Sequence, residues 1–266
     1  MAKQDAAQDR NFDDLAGRFK KNIYGGLKGA VRLAVLQRDF TEAIPELLMP
    51  DKPLRILDAG GGQGQFSLRL AQAGHQVVLC DISAEMLKLA REQVEEAGLS
   101  QSVSLVHCAI QELTSHIADD QFDLVLCHAV MEWMAEPQSL LPCLHRYIKP
   151  GGWLSLTYYN RHSLIFKNLL RANFKKIIAQ DFRGAKGSLT PINPLEPDQV
   201  DAWLSDLPLS VAARSGIRVF HDYILDGELR ERAPEDLITL ELRFSRQEPY
   251  RSLGRYIHVL ARDVTR

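Results

Sequence analysis

The sequence predicts a mostly parallel, doubly wound α/β sheet in one domain, and three observations lead there. Short apolar runs alternate with helix-period segments from Leu54 to Tyr159, the rhythm of strands joined by crossover helices. The first run, Leu54-Arg55-Ile56-Leu57-Asp58, passes through Ala59-Gly60-Gly61-Gly62-Gln63-Gly64 into the amphipathic stretch Phe66 to Ala73. A glycine-rich turn therefore joins a buried strand to a helix. The second run, Gln76-Val77-Val78-Leu79-Cys80, closes on Asp81, about 20 residues beyond the first glycines, where a carboxylate can hydrogen-bond ribose hydroxyls.

With 266 residues, 45% of them hydrophobic, the chain can bury one large core. The expectation is a single domain over 1–266, with residues 12–48 as an N-terminal helical cover and 160–205 as an inserted segment. A net charge of −2 gives no global sign of nucleic-acid binding, so such a role must rest on a local patch. Cys80, Cys108, Cys127 and Cys143 show neither Cys-x-x-Cys pairing nor metal spacing. They read as small buried hydrophobes of a reduced, cytoplasmic protein without a metal. Met1 to Asn11 is polar, and no run approaches the roughly 18 apolar residues of a membrane span, so neither membrane nor secretion is expected.

In order along the chain, Phe12, Leu15, Ala16 and Phe19, then Val31, Leu33, Ala34 and Leu36, carry helical spacing. Between them Asn22 to Gly29 is a glycine-broken loop with Tyr24, followed by Arg32. It is either a lid over a pocket or an interhelical turn. Ser83 is an N-cap for a helix burying Met86, Leu87, Leu89, Ala90 and Val94, stopped at Gly98. Val103 to Cys108 and Phe122 to Cys127 are the third and fourth strands. A helix holding Leu140, Leu141, Leu144 and Tyr147 ends at Lys149-Pro150-Gly151-Gly152, before the strand Trp153 to Tyr159. In such sheets ligands lie beyond the carboxyl ends of the strands, which brings Gly60, Asp81, Ile110, Gln111, His128 and Asn160 to one crevice.

Residues 160 to 200 break the rhythm. Arg161, Lys167, Arg171, Lys175, Lys176, Arg183 and Lys186 face a single acid, Asp181, with Phe166, Phe174 and Phe182 interleaved. This is either a solvated helix face or a nucleic-acid rim. A proline-marked loop and a helix from Asp198 to Leu204 follow. Then come a strand from Val211 to Phe220, a helix from Pro234 to Gln247 and a last strand from Arg255 to Arg262.

The glycine spacing narrows the ligand. A dinucleotide turn wants Gly-x-Gly-x-x-Gly, but the sixth position from Gly60 is Gln65, and glycines recur at 60, 62 and 64 instead. A nucleoside suits this turn better than a pyrophosphate. Leu-Asp-x-Gly-x-Gly-x-Gly followed by a strand and Asp resembles the first two motifs of class I methyltransferases, whose cofactor is S-adenosyl-L-methionine, with S-adenosyl-L-homocysteine as product.

More specific strings run through the whole chain: Gln8 to Asp14 (QDRNFDD), Asn22 to Gly25 (NIYG), Leu57 to Gly62 (LDAGGG), His128 to Trp133 (HAVMEW), Gly216 to Tyr223 (GIRVFHDY) and Arg246 to Tyr250 (RQEPY). On these the chain resembles the tRNA 5-carboxymethoxyuridine methyltransferases. The resemblance implies a Rossmann-like class I methyltransferase fold with an antiparallel last strand. It also implies methyl transfer to the carboxylate of 5-carboxymethoxyuridine at the wobble position of a tRNA bound by its anticodon arm. Gly60, Gly61 and Gly62 would pass under the cofactor, and Asp81 and Ile82 would hold its ribose side. Ile110 and Gln111 would border the adenine, His128 would line the pocket and Arg32 would take the methionine carboxylate. Each has a plainer reading: Ile110 as core, Gln111 as a helix start, His128 as a satisfied strand-end histidine. A carboxylate is already ionised at neutral pH and needs no general base, so Tyr24, Tyr158, Arg218 and His221 are candidates to hold it rather than to deprotonate it. Lys167, Arg171, Lys175, Lys176 and Arg183 are the candidate tRNA patch. Two rival readings stay open: an O-methyltransferase of a small acid or phenol, and a cofactor-binding RNA-binding protein without turnover.

Overall fold

The computed structural model describes residues 9–13, 26–49, 51–117, 121–182 and 191–265. The helix expected around Leu15 to Phe19, Tyr24, Arg183 and Lys186 lie outside them. In chain order the elements are α1 (Gly26–Ala43), β1 (Arg55–Ala59), α2 (Ser67–Gln72), β2 (Gln76–Asp81), α3 (Ala84–Glu96), β3 (Val103–His107), α4 (Thr114–Ile117), β4 (Phe122–His128), α5 (Leu140–His145) and β5 (Ile148–Tyr159). There follow α6 (Arg161–Leu170), α7 (Phe174–Ile178), α8 (Pro197–Ser205), β6 (Leu209–Ile217), α9 (Gly227–Glu231), α10 (Pro234–Phe244) and β7 (Tyr256–Asp263).

The strands form one sheet in the order β3-β2-β1-β4-β5-β7-β6. β1 to β5 pair in parallel, and β7 runs antiparallel to both β5 and β6. Strand order reverses between β1 and β4, and the crevice at their carboxyl ends is where an open sheet of this kind takes a ligand.

Side chains of a strand alternate between its faces, and the core divides accordingly. Leu57, Val125, Cys127, Leu154, Leu156, Tyr158 and Val259 pack with Leu140, Leu144 and Leu204 of α5 and α8. Ile56, Leu79, Leu124, Leu126 and Leu260 pack on the opposite face with Leu36 and Phe40 of α1, Leu68 of α2 and Leu87 of α3. The cap on α3 is as expected, with the Met86 amide donating to the Ser83 hydroxyl at 3.2 Å.

Some boundaries differ from expectation. Gly26 to Gly29 belong to the first turn of α1 and not to a loop. Leu27 and Val31 bury against Leu237 of α10, and tertiary packing of this kind outweighs the weak helix preference of glycine. Phe12 is not helical; its ring meets Trp133 edge-on at 4.8 Å between centroids. β5 begins at Ile148, so Pro150-Gly151-Gly152 lies within it, where the pairing with β4 shifts register. No helix among the described residues is long and apolar enough to cross a membrane.

Candidate functional site

At the carboxyl ends of β1, β2 and β4 lies a cavity of about 440 Å³. The turn after β1 forms its floor. The amides of Gly60 and Gly61 both donate to the Cys80 carbonyl, at 2.9 and 3.1 Å, which ties the turn to the end of β2. A Cβ on Gly60 would lie 2.5 Å from Val130 Cγ2, and one on Gly61 2.5 Å from Asp58 Oδ2. Only glycine lets backbone run this close beneath a ligand.

Asp81 stands at the end of β2 with one oxygen on each side of the turn. Gly62 donates to Oδ2 and Ser83 to Oδ1, both at 2.8 Å. An ionised carboxylate has about four acceptor positions, so two remain for the hydroxyls of a ribose. Burial pushes the carboxyl above its ordinary value while the two amides pull it down. His128 ends β4 with Nε2 2.7 Å from Ser155 Oγ. Burial, and then the neighbouring His258 and Arg32, hold its pKa well below the ordinary range, so the ring is neutral at physiological pH.

The opposite wall is cationic. Arg32 lies on the buried face of α1 with its guanidinium 4.5 Å from the centre of the Tyr256 ring, and Arg218 sits 5.4 Å from the same ring. Arg218 and Ala129, both at the cavity, hold left-handed φ values of 61° and 60°, costly conformations that persist where a site imposes them. Behind Arg218, Asp222 Oδ2 lies 3.4 Å from Arg218 Nη2 and 3.4 Å from Arg255 Nε. Burial opposes its ionisation, but Arg218, His221 and Arg255 outweigh that and keep it far below the usual carboxylate range.

A strap that the sequence pattern did not show completes the cavity. The Arg10 amide donates to the Trp133 carbonyl at 3.0 Å. The Asp9 carboxylate accepts from the Ala135 amide and from Gln111 Nε2, both at 2.8 Å. Asp9, Arg10 and Phe12 line the cavity with Trp133 and Tyr256. Helical spacing masked Phe12, while the Gln8 to Asp14 string was the signal that marked this stretch.

All nine residues named from the resemblance for the cofactor, Arg32, Gly60, Gly61, Gly62, Asp81, Ile82, Ile110, Gln111 and His128, line this one cavity. Residues 57–156 match the methyltransferase domain family. Over 255 residues, 96% of this chain and 97% of the relative, the sequence is 45% identical to the tRNA 5-carboxymethoxyuridine methyltransferases of Escherichia coli O157:H7 and of Escherichia coli strain K12. The chain belongs to the tRNA 5-carboxymethoxyuridine methyltransferase family. A ubiquinone biosynthesis O-methyltransferase of Bordetella avium is 34% identical, but over only 47% of this chain and 51% of that protein. The magnesium protoporphyrin IX methyltransferase of Synechocystis PCC 6803, solved with bound S-adenosylhomocysteine, shares the fold at a TM-score of 0.59 and 18% identity, covering 95% of this chain and 96% of that one.

For this family member the other named residues divide. Arg218 lines the cavity; Tyr158 and His221 do not. Tyr158 is at an even position of β5, so its side chain faces α5 and α8, where it is fully buried and burial raises its hydroxyl pKa. His221 is also fully buried, its Nδ1 3.1 Å from Asp222 Oδ1 and its amide donating to Glu241 Oε1 of α10 at 2.8 Å. It packs against Asp222 and not into the cavity. Asn160 leaves the crevice as well, capping α6 through the His162 amide and donating to the Ser252 and Gly254 carbonyls.

The basic segment is also sorted. Arg161 pairs with Glu196 at 3.1 Å. Lys167 is half-buried on α6; burial lowers its pKa to about 8, with Asp222 opposing and Arg255, Arg171 and Arg218 reinforcing the shift. Arg171, Lys175 and Lys176 are exposed, beside exposed Phe174 and Ile178.

Proposed function

We propose that this protein transfers the methyl group of S-adenosylmethionine to the carboxylate of 5-carboxymethoxyuridine at the tRNA wobble position, giving the methyl ester and S-adenosylhomocysteine. The observation that carries this reading is the 45% identity that extends over nearly the whole of both chains, well beyond the half-chain match to small-molecule O-methyltransferases.

The cavity suits such a reaction. The cofactor brings an electrophilic methyl on a sulfonium; a carboxylate oxygen forms the new C–O bond as the C–S bond breaks, and no proton moves. The chain supplies placement and a dry site. Asp81 and the glycine turn seat the nucleoside, and Arg32 takes the methionine carboxylate. Arg218, held beside Arg32 and Tyr256, grips the non-attacking oxygen of the substrate carboxylate. Arg218 lines the cavity, where its guanidinium can meet a carboxylate in a charge-assisted pair. Because Asp222 already shares the charge of Arg218 and Arg255, the grip does not quench the nucleophile. Arg171, Lys175 and Lys176 with Phe174 then form the rim for the anticodon arm, combining phosphate contacts with an aromatic face.

The test is mass spectrometry of wobble nucleosides from cells with and without the gene, paired with purified enzyme, labelled cofactor and tRNA carrying 5-carboxymethoxyuridine. Loss of the methyl ester without the gene, and its formation in vitro, are expected. Turnover of free small acids or phenols with tRNA ignored would establish the O-methyltransferase reading instead, and cofactor binding that never yields S-adenosylhomocysteine would leave a non-catalytic protein.

A further inference from the structure

Four polar side chains that methyl transfer to a carboxylate does not call upon form one continuous chain beneath the cavity. His128 Nε2 lies 2.7 Å from Ser155 Oγ, Ser155 Oγ lies 3.0 Å from His258 Nε2, and His258 Nδ1 lies 2.7 Å from Asp39 Oδ2. Ser155, His258 and Asp39 have no exposed surface at all. Strand parity creates the alignment: His128, Ser155 and His258 occupy β4, β5 and β7 at positions on the α1 face, and Asp39 comes from the buried stripe of α1 that also carries Arg32. At the outer end Asp39 Oδ1 accepts from Arg38 at 2.8 Å and from Arg246 at 2.6 Å. Burial opposes the ionised form of Asp39, but His258, Ser215 and Arg38 prevail and hold it well below the usual carboxylate range.

Packing alone does not require such a chain, since apolar side chains of similar volume fill a sheet interior at least as stably. What the chain adds is direction. An ionised carboxylate only accepts, so His258 carries a proton on Nδ1. A neutral His258 then has a lone pair on Nε2, and the Ser155 hydroxyl donates to it. Ser155 has one proton to give, so its oxygen accepts from His128, which must be protonated on Nε2. The Nδ1 of His128 is left bare.

We propose that Asp39, His258 and Ser155 are positioning residues that hold His128 as its neutral Nε2–H tautomer, so that the cavity is offered an acceptor nitrogen and not a second cation beside Arg32. The proposal rests on the cavity being the cofactor site. S-adenosylmethionine brings an α-ammonium and a sulfonium, and a bare ring nitrogen accepts from the first, whereas an imidazolium would repel both. A doubly protonated His258 would still donate to Asp39 from Nδ1 but would reverse both links through Ser155, leaving His128 protonated on Nδ1, the opposite tautomer.

Long-range proton–nitrogen NMR on protein labelled with ¹⁵N-histidine reads this directly, without cofactor. His128 is expected to be protonated on Nε2 and bare on Nδ1. In Ser155→Ala the link to His258 is cut while the Asp39–His258 pair stays intact; the tautomers should mix, and the dissociation constant for S-adenosylmethionine should rise about three- to tenfold, as for one lost buried hydrogen bond. A parent His128 protonated on Nδ1, or a Ser155→Ala protein in which either the tautomer or the affinity matches the parent, overturns the proposal. Should the variant not fold, the parent spectrum alone decides. A parent that binds no S-adenosylmethionine defeats the cofactor reading, while the tautomer still tests the chain.

Discussion

The Asp9 carboxylate accepts a 2.8 Å hydrogen bond from the side-chain amide of Gln111, so a residue ahead of α1 clasps the turn that follows β3. Its second oxygen holds the Ala135 amide, and the strap between them forms one wall of the cavity. Asp9→Ala removes both acceptors. The dissociation constant for S-adenosylmethionine should rise by the equivalent of about 1 kcal/mol, with the melting temperature little changed, because few buried contacts are lost. Calorimetry beside a thermal melt measures both, and an unchanged affinity would make the strap a bystander.

Asp81→Ala should weaken cofactor binding by about 1–3 kcal/mol, as expected when ribose hydroxyls lose their acceptor. It should also cost some stability, since the Gly62 and Ser83 amides lose theirs. Calorimetry showing NAD bound by the parent and the methionine cofactor ignored would remove Asp81 from this role.

Stability should fall with rising pH through the window set by Glu132. Burial raises its carboxyl from 4.5 to about 7 in the fold. Below the lower value the group is protonated in both states and has no effect. Between the two the unfolded chain releases a proton that the folded one keeps, costing about 1.4 kcal/mol per pH unit. Denaturant titrations of parent and Glu132→Gln from pH 5 to 8 check this: the parent should lose stability relative to the variant, and parallel curves would refute it.

Lys175→Glu with Lys176→Glu should raise the Michaelis constant for tRNA and leave cofactor affinity unaltered. The difference should shrink as salt rises, since each lost phosphate contact flattens the dependence of log K on log salt by about 0.9 for duplex or 0.7 for single strands. Equal methylation at every salt concentration would mean that α7 is a solvated helix and that the RNA docks elsewhere.

What the chain revealed before folding was whatever lies close in sequence. Gly60 to Gly62 and Asp81 declare a nucleoside site because one strand, one turn and the next strand end build it. Tyr256 and Trp133 stayed hidden because they reach the cavity only through the sheet order and the turn after β4. Tyr158 was misplaced for a related reason: alternation shows that Ser155 and Tyr158 face opposite ways, but which face meets α1 depends on packing. His221 resembled a ligand-binding residue until Glu241 of α10, distant in sequence, closed over its amide.

The position of β7 between β5 and β6 has a consequence for the order in which the protein can be made. A ribosome releases β6 before β7 exists, and among the described residues β6 pairs with no other strand. The nascent chain must therefore carry an unpaired strand, and β5 an open edge, until residues 256–263 emerge. Those same residues deliver Tyr256 to the cavity and His258 to the chain beneath it, so the sheet and the site are completed together, once β7 pairs with its two neighbours.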